Sequence, residues 1–160
     1  MKHLLSHILV AITGSDASIM AAKYAIVMAK EYKCHLTAVY VVDTATIKQL
    51  TLSKIFIQEE SQEYEKSLHE NGERYLSFVE ELASAKGIKI DRELRKGAIY
   101  TEILGAASDH NADLIILGGW EKDRNPRDTF SLNHKEIMIH SKCSVMLVKD
   151  PHIENLYKHL

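Results

Sequence analysis

The chain has 160 residues, of which 46% are apolar and 26% charged, and its formal net charge is −2. A domain of this length buries about 70% of the surface that its unfolded chain exposes, so neither a metal ion nor a disulfide is required for stability. The small net charge excludes an electrostatic drive toward nucleic acid or an anionic membrane, and no stretch approaches the roughly 18 consecutive apolar residues of a membrane span.

Short β-branched runs alternate with longer helical patterns, which is typical of βαβ units around a parallel sheet. Strands are predicted at residues 7–12, 35–42, 88–95, 114–118 and 144–149. Four of them are nearly continuous apolar runs, as expected of strands that are covered on both faces. In the third, apolar and charged residues alternate, which predicts an edge strand with one wet face. The apolar residues of that strand are Ile88, Ile90 and Leu94.

Two long helices are predicted on either side of the second strand. Residues 17–32 follow a possible cap at Ser15 or Asp16. Their predicted buried stripe is Ala21, Tyr24, Ala25, Met28 and Tyr32. Residues 57–86 form a longer amphipathic pattern that ends at Gly87. The stripe there is Tyr64, Leu68, Tyr75, Phe78, Val79 and Leu82.

The remaining helical patterns are shorter. A third helix follows Gly97 and a fourth covers residues 132–140, whereas residues 43–56 have no clear period and are expected to form a loop or an irregular helix. Pro151 ends the last strand because it cannot donate to a ladder. We assign residues 1–150 to one domain and residues 151–160 to a helical tail of that domain, which either packs on its own domain or docks on a second subunit.

Neither the cysteines nor the histidines form a recognisable chemical motif. Cys34 and Cys143 are far apart and lack CxxC spacing, which fits free buried thiols in a reducing cytoplasm. The start of the chain runs into a strand pattern without a cleavage site, so no signal peptide is predicted. His134 and His140 are six residues apart and share no helix face, and the GxSxG elbow is absent. We therefore predict no metal site and no catalytic residue.

Four segments in fixed order carry a specific resemblance. HILVAITGSDAS, CHLTAVYVVD, KGAIYTEILGAASDHNADLIILGG and CSVMLVK together resemble universal stress proteins over nearly the whole chain. The resemblance implies a single-domain three-layer α/β/α sandwich with a five-stranded parallel sheet in order 3-2-1-4-5, of the adenine-nucleotide α-hydrolase-like or Rossmann-like type. Ligands of such open sheets bind beyond the carboxyl ends of the strands, so the loops at residues 13–15, 41–44, 97–99 and 118–131 are the candidate site.

The loop after the fourth strand departs from the family pattern. In universal stress proteins this loop reads G-x2-G-x9-G-[ST] and wraps ATP phosphates, because bare backbone amides must approach the phosphate oxygens closely. On this chain the four positions fall on Gly118, Glu121, Ser131 and Leu132, so only the first is kept. Glu121 brings bulk and a negative charge toward a polyanion, and Leu132 supplies no hydroxyl.

Two further comparisons with the family pattern lead to the same expectation. Starting the pattern at Gly119 puts Lys122 at the second glycine position and restores no other match, and Thr13 stands where the family usually has an acid that contacts the nucleoside. We therefore predict no cofactor and no ATP binding in the usual manner. The alternative is an ATP-binding switch with a degenerate pocket. Its cofactor-binding residues would be Thr13, Gly14, Ser15, Val41, Gly97, Gly118, Gly119, Lys122 and Ser131.

The last strand is the predicted dimer interface. The resemblance implies that it pairs with its symmetry mate, and an apolar edge strand is prone to aggregate when it is left bare. The interface residues would be Val145, Met146, Leu147 and Val148, with the tail helix draped over them. The predicted protein is a non-enzymatic, cytoplasmic universal stress protein that acts through dimerisation and through protein or small-ligand contacts. Neither nucleic acid nor membrane is expected as a partner.

Overall fold

The computed structural model describes residues 3–119 and 132–160. Its strands are β1 (His7–Ile12), β2 (His35–Asp43), β3 (Asp91–Gly97), β4 (Leu114–Gly118) and β5 (Ser144–Val148). They pair in parallel in the order β3-β2-β1-β4-β5. The predicted parallel sheet and its 3-2-1-4-5 order are therefore confirmed, and the strand order reverses between β1 and β4.

Helices cover both faces of this sheet. They are α1 (Asp16–Tyr32), α2 (Thr44–Leu52), α3 (Gln58–Ser84), α4 (Ile99–Asp109), α5 (Leu132–His140) and α6 (Ile153–Lys158). Alternate residues of β1 divide the core, since Ile8 and Val10 pack with α1 and α3 whereas Leu9 packs with α4 and α5. Full burial of such a side chain contributes about 1.5–3 kcal/mol. None of the helices within residues 3–119 and 132–160 is long and apolar enough to cross a bilayer.

The buried face of α1 is built from small residues. Ala21, Ala22 and Ala25 are fully buried, which lets the helix approach the sheet closely. The prediction that Tyr32 belongs to the buried stripe is wrong, because its side chain is 60% exposed. It is the last residue of α1, and the chain then turns through Lys33 in the left-handed region at φ 52°.

In α3 the buried stripe is Gly72, Leu76, Val79 and Ala83. Val79 was predicted correctly, but Tyr64 and Phe78, predicted on the same stripe, are 45% and 44% exposed. Gly72 and Ala83 are small residues of the face that packs on the sheet. Tyr64 and Phe78 lie at the border of this face.

The predicted third strand begins too early. Residues 88–95 were expected, but β3 is Asp91–Gly97, so Ile88 and Ile90 precede the ladder. The reason is local, because the amide of Ile88 donates to the carbonyl of Ala83 at 2.9 Å and thereby completes the end of α3. Gly87, at φ 73°, makes the turn possible. The expectation of an edge strand is confirmed.

Residues 43–56, expected to form a loop or irregular helix, contain the regular helix α2. Its first turn is capped by Asp43, whose Oδ1 accepts from the amide of Thr46 at 3.0 Å and whose Oδ2 accepts from the Thr46 hydroxyl at 2.7 Å. Only Ile47 of this helix is buried. A helix that buries only one residue has no regular spacing of apolar residues in its sequence. This is why the helix could not be predicted from the pattern.

The tail helix α6 packs on its own domain. Ile153 is 1% exposed, and the Tyr157 hydroxyl donates to the carbonyl of Leu82 in α3 at 2.8 Å. Lys23 of α1 pairs with Glu154 at 2.6 Å. The tail thus joins α1 to the end of α3 and forms part of the folded unit. Its predicted placement over a β5 dimer interface stays a prediction.

Candidate functional site

A cavity of about 190 Å³ opens at the carboxyl ends of β1 and β2, next to α2, α3 and α4. Its walls are mainly apolar, and the larger side chains that line it are those of Tyr40, Val41, Tyr64, Leu68, Ile99 and Ile103. This is the position at which open parallel sheets bind their ligands. Pockets that bury a drug-sized ligand usually have about 300 Å³ or more, so the space formed by the described residues is small.

The polar side chains at the first loop are engaged with each other. The hydroxyls of Thr13 and Ser15 lie 2.8 Å apart, and Thr13 Oγ1 also accepts from the amide of Ser15 at 3.2 Å. Ser15 Oγ then accepts from the amide of Ser18 at 3.2 Å and caps α1. Thr13 lines the cavity, but in this arrangement its hydroxyl stabilises the turn that leads into the helix.

Asp43 is the acidic side chain at the cavity, and both of its oxygens serve as the cap of α2 described above. A carboxylate that accepts two hydrogen bonds from Thr46 is held at the start of α2, where it caps the helix. Sequence reasoning included this residue only as part of the loop at 41–44. The spacing Asp-x-x-Thr after a strand is the signal that could have identified the cap.

Two tyrosines form the inner side of the site. The rings of Tyr40 and Tyr75 are stacked, with centroids 6.3 Å apart. A Cβ on Gly14 would lie 3.1 Å from the hydroxyl oxygen of Tyr75, so this tyrosine fills the space beside the first loop. Burial, together with Tyr75 and Tyr64, raises the pKa of the Tyr40 phenol, so this hydroxyl stays neutral at physiological pH.

The two glycines at the end of β4, Gly118 in the strand and Gly119 after it, pack closely against other parts of the backbone. A Cβ on Gly118 would lie 2.6 Å from the carbonyl carbon of Ala17, in the first turn of α1. A Cβ on Gly119 would lie 2.6 Å from the carbonyl oxygen of Val148, to which the Gly119 amide donates at 2.8 Å. Both positions therefore require glycine for backbone packing inside the domain, before any ligand is considered.

The other predicted site residues lie at different places. Val41 lines the cavity with Thr13. Gly97 has a φ of 146°, and a Cβ there would lie 2.9 Å from Cγ of Glu102, so it faces the start of α4. Lys122 and Ser131 lie outside the described residues. Over the described ranges no group of three or more His, Cys, Asp or Glu side chains is arranged to hold a metal ion.

Sequence reasoning missed Asn133 at the start of α5, and it considered the next residue, His134, only as a possible metal ligand. Asn133 Oδ1 accepts a hydrogen bond from the amide of Tyr100, in the first turn of α4, at 3.3 Å. The residue before this helix, Ala98, has no side chain that could cap it. His134 Nε2 lies 3.0 Å from the carbonyl oxygen of Gly118. These long-range contacts tie α5 to the carboxyl end of β4, and no local pattern in the sequence reports them.

Comparison with known proteins agrees with this architecture. The model of the universal stress protein family matches residues 5–149. The universal stress protein MJ0531 of Methanocaldococcus jannaschii is 32% identical over 150 residues, which is 94% of this chain and 85% of that protein. The chain therefore belongs to the universal stress protein family.

Solved structures confirm the Rossmann-like fold. A universal stress family protein from Burkholderia pseudomallei has a TM-score of 0.72 and 22% identity, with 94% of this chain and 100% of that chain covered. A universal stress protein in complex with cAMP has a TM-score of 0.67 and 17% identity, covering 92% and 99%. A third, from Archaeoglobus fulgidus in complex with dAMP, has a TM-score of 0.62 and 14% identity, covering 92% and 100%.

Proposed function

We propose that the protein is a non-enzymatic, cytoplasmic member of the universal stress proteins that acts through dimerisation and through protein or small-ligand contacts, without stable ATP binding. The observation that carries the proposal is the position of Gly118. It is the one glycine of the phosphate-binding pattern that the chain keeps. The backbone of Ala17 lies so close that a side chain at this position would clash with it, which explains the glycine. Nothing about this glycine requires a phosphate.

The local hydrogen bonds support the same proposal. Thr13 and Ser15 bond to each other, and Asp43 bonds to Thr46. These contacts cap helices and close a turn, which accounts for the positions of these side chains without a substrate. At the second and third glycine positions the sequence has Glu121 and Ser131, whose side chains oppose close approach of backbone amides to a triphosphate.

Native mass spectrometry of the freshly purified protein tests the absence of ATP, and thermal unfolding with Mg-ATP gives a second measurement. We expect no co-purified triphosphate and no rise in melting temperature with increasing Mg-ATP, because a ligand stabilises the fold only if it binds the folded state. A bound triphosphate, or a saturable rise that requires the γ-phosphate, would overturn the proposal.

The dimer rests on the edge strand. β5 pairs with β4 and lies at the edge of the described sheet, and Val145, Met146 and Leu147 are only partly buried in the single chain. Pairing with a second copy would satisfy the outward backbone groups and cover these side chains.

Amide exchange of β5 at high and low protein concentration tests this pairing directly. We expect the outward-facing amides of residues 144–148 to become protected as the concentration rises, in step with a doubled mass in sedimentation. Rapid exchange at every concentration, together with a monomer at micromolar protein, contradicts the dimer.

A nucleotide-binding switch is the second candidate, and the cavity beside Val41 favours it. Two structural neighbours of the same fold were solved in complex with cAMP and with dAMP, and each of these ligands carries a single phosphate group. The apolar walls suit a base and ribose, and a single phosphate demands fewer backbone amides than a triphosphate does.

Titration with cAMP and with dAMP separates the two candidates. The switch predicts a saturable thermal shift that is lost in Val41→Phe, which fills the cavity, and kept in Leu156→Ala, which alters a 57% exposed side chain of the tail. The absence of a shift with either nucleotide would leave the non-binding proposal standing and exclude the switch for these ligands.

A further inference from the structure

Three imidazoles meet at the end of the sheet opposite the cavity, where the strands begin. His7 opens β1 and His35 opens β2, and these two residues are partners across the ladder. His110 directly follows α4. The ring centroids of His7 and His35 are 5.9 Å apart, and those of His7 and His110 are 5.3 Å apart. We name this group the histidine cluster.

The ring of His7 is fixed at the centre of the cluster. Its Nε2 lies 2.7 Å from the hydroxyl oxygen of Thr37, a residue that is 0% exposed. Its backbone amide donates to Oδ2 of Asp113 at 3.0 Å, and Asp113 donates its own amide to the carbonyl of His7 at 2.9 Å. The backbone bonds fix the start of β1, and the bond to Thr37 orients the ring toward its neighbours.

Charged groups approach this ring from every neighbouring element. Asp91 of β3 and Asp113 before β4 favour a positive His7, whereas His35 of β2 and His110 oppose it. Burial and the two imidazoles outweigh the carboxylates, so the pKa of His7 is lowered. Glu93 does not relieve His7, because its two oxygens lie 2.9 Å from His110 Nε2 and 2.8 Å from Arg95 Nη1.

We propose that the histidine cluster is an acid-sensitive element of the fold, in which proton uptake loosens the start of the β1–β2 pair and lowers the stability of the domain. At these separations a positive charge on His35 or His110 repels a positive His7, and His7 is partly withdrawn from water. Exposure of the rings on opening relieves both costs, so acid favours the opened state.

The direction of the pH dependence follows from the lowered pKa. An exposed histidine titrates near pH 6.5, so between that value and the lower folded-state pKa the unfolded chain binds the extra proton. The stabilisation is therefore complete above about pH 6.5 and is lost as the pH falls through this window. A histidine whose pKa is raised by a carboxylate has the opposite effect, because it adds to the stability of the fold as the pH falls.

Thermal unfolding between pH 7.5 and pH 5.5 tests the proposal with a matched pair of variants. In His7→Gln the amide still reaches Thr37 but takes up no proton, whereas His152→Gln removes an exposed histidine of the tail. We expect the melting temperature of the wild type to fall with acid, and the fall to be smaller in His7→Gln. His152→Gln should behave as the wild type. Equal falls in all three proteins would overturn the proposal.

Proton NMR titration of the histidine rings gives a readout that does not depend on a stable His7 variant. In the wild type the His7 ring should titrate below pH 6.5, the ordinary value for an exposed histidine. In His110→Gln, which removes one repelling imidazole, the His7 titration should move to higher pH. If His7 titrates at or above pH 6.5 in the wild type, or is unmoved by His110→Gln, the cluster is not acid-sensitive in the proposed way.

Discussion

The ring of Tyr40 occupies the space in which a side chain at Gly72 would lie, since a Cβ there would be 2.5 Å from Cδ1 of the tyrosine. A glycine inside a helix costs about 0.5–1 kcal/mol relative to alanine. Because Gly72 lies on the buried face of α3, the ring of Tyr40 can pack against the helix. Tyr40 is only 8% exposed and closes the inner side of the cavity. The pair sets how closely α3 approaches β2.

We predict that Gly72→Ala destabilises the protein, although alanine is the better helix former. Overpacking against Tyr40 should cost about 1–3 kcal/mol, measured as a lower midpoint in urea unfolding. The double variant with Tyr40→Leu should lose less than the sum of the two single variants, because the smaller side chain makes room for the new methyl group. Additive losses would show that the two residues are not coupled.

A second prediction concerns Gly118 and Gly14. A Cβ on Gly118 meets the backbone of Ala17 at 2.6 Å, whereas one on Gly14 meets the side chain of Tyr75 at 3.1 Å. A side chain yields more readily than a backbone in the first turn of a helix. Gly118→Ala should therefore cost about 1–3 kcal/mol or more, and clearly more than Gly14→Ala, in nucleotide-free unfolding. An equal or smaller loss for Gly118→Ala would argue against a packing role for this glycine.

The tail offers a matched pair for a third prediction. Ile153 is 1% exposed and Leu156 is 57% exposed, and both lie on α6. Ile153→Ala should lower the free energy of unfolding by about 2–4 kcal/mol, since it leaves a cavity against the core. Leu156→Ala should stay within roughly 0.5 kcal/mol of the wild type. If both variants unfold like the wild type, the tail is not part of the cooperative domain.

The fourth prediction concerns the reactivity of Cys34. Partial burial raises the pKa of its thiol, and the nearby charge of Asp113 acts in the same direction. The thiolate is the reactive form, so a raised pKa means that less of it is present at neutral pH. Alkylation of Cys34 at pH 7.5, followed by peptide mass spectrometry, should be slower than that of glutathione and should accelerate as the pH rises. Reaction at the rate of the free thiol would contradict this.

The fold could be predicted largely because the strands are buried on both faces. β1 and β4 are short apolar runs whose bounds were predicted correctly as residues 7–12 and 114–118. The start of β3 was missed because Ile88 is apolar like a strand residue but uses its amide to end α3. The apolar side chain of Ile88 indicates only that the residue is partly buried. Whether its amide bonds to a neighbouring strand or to the end of α3 depends on the turn at Gly87, which the pattern of apolar residues does not show.

The candidate site was predictable only in outline. The loops at the carboxyl ends of the strands follow from the topology, and Thr13 and Val41 do line the cavity. Tyr64 and Leu68 were expected only as buried helix residues, because their place at the cavity depends on where α3 crosses the sheet. His7 and His110 are more than 100 residues apart in sequence, and only the sheet order brings their rings together.

The close approach of Gly118 to Ala17 also limits what can lie between β4 and α1. A single methyl group on Gly118 would already lie 2.6 Å from the backbone of Ala17, which leaves no room there for an atom of a ligand. The cavity itself is lined by other residues, among them Asp43, Thr46 and Tyr64. The described residues of this lining include the carboxylate of Asp43 and no Lys or Arg, so they offer no positive side chain to a polyanion.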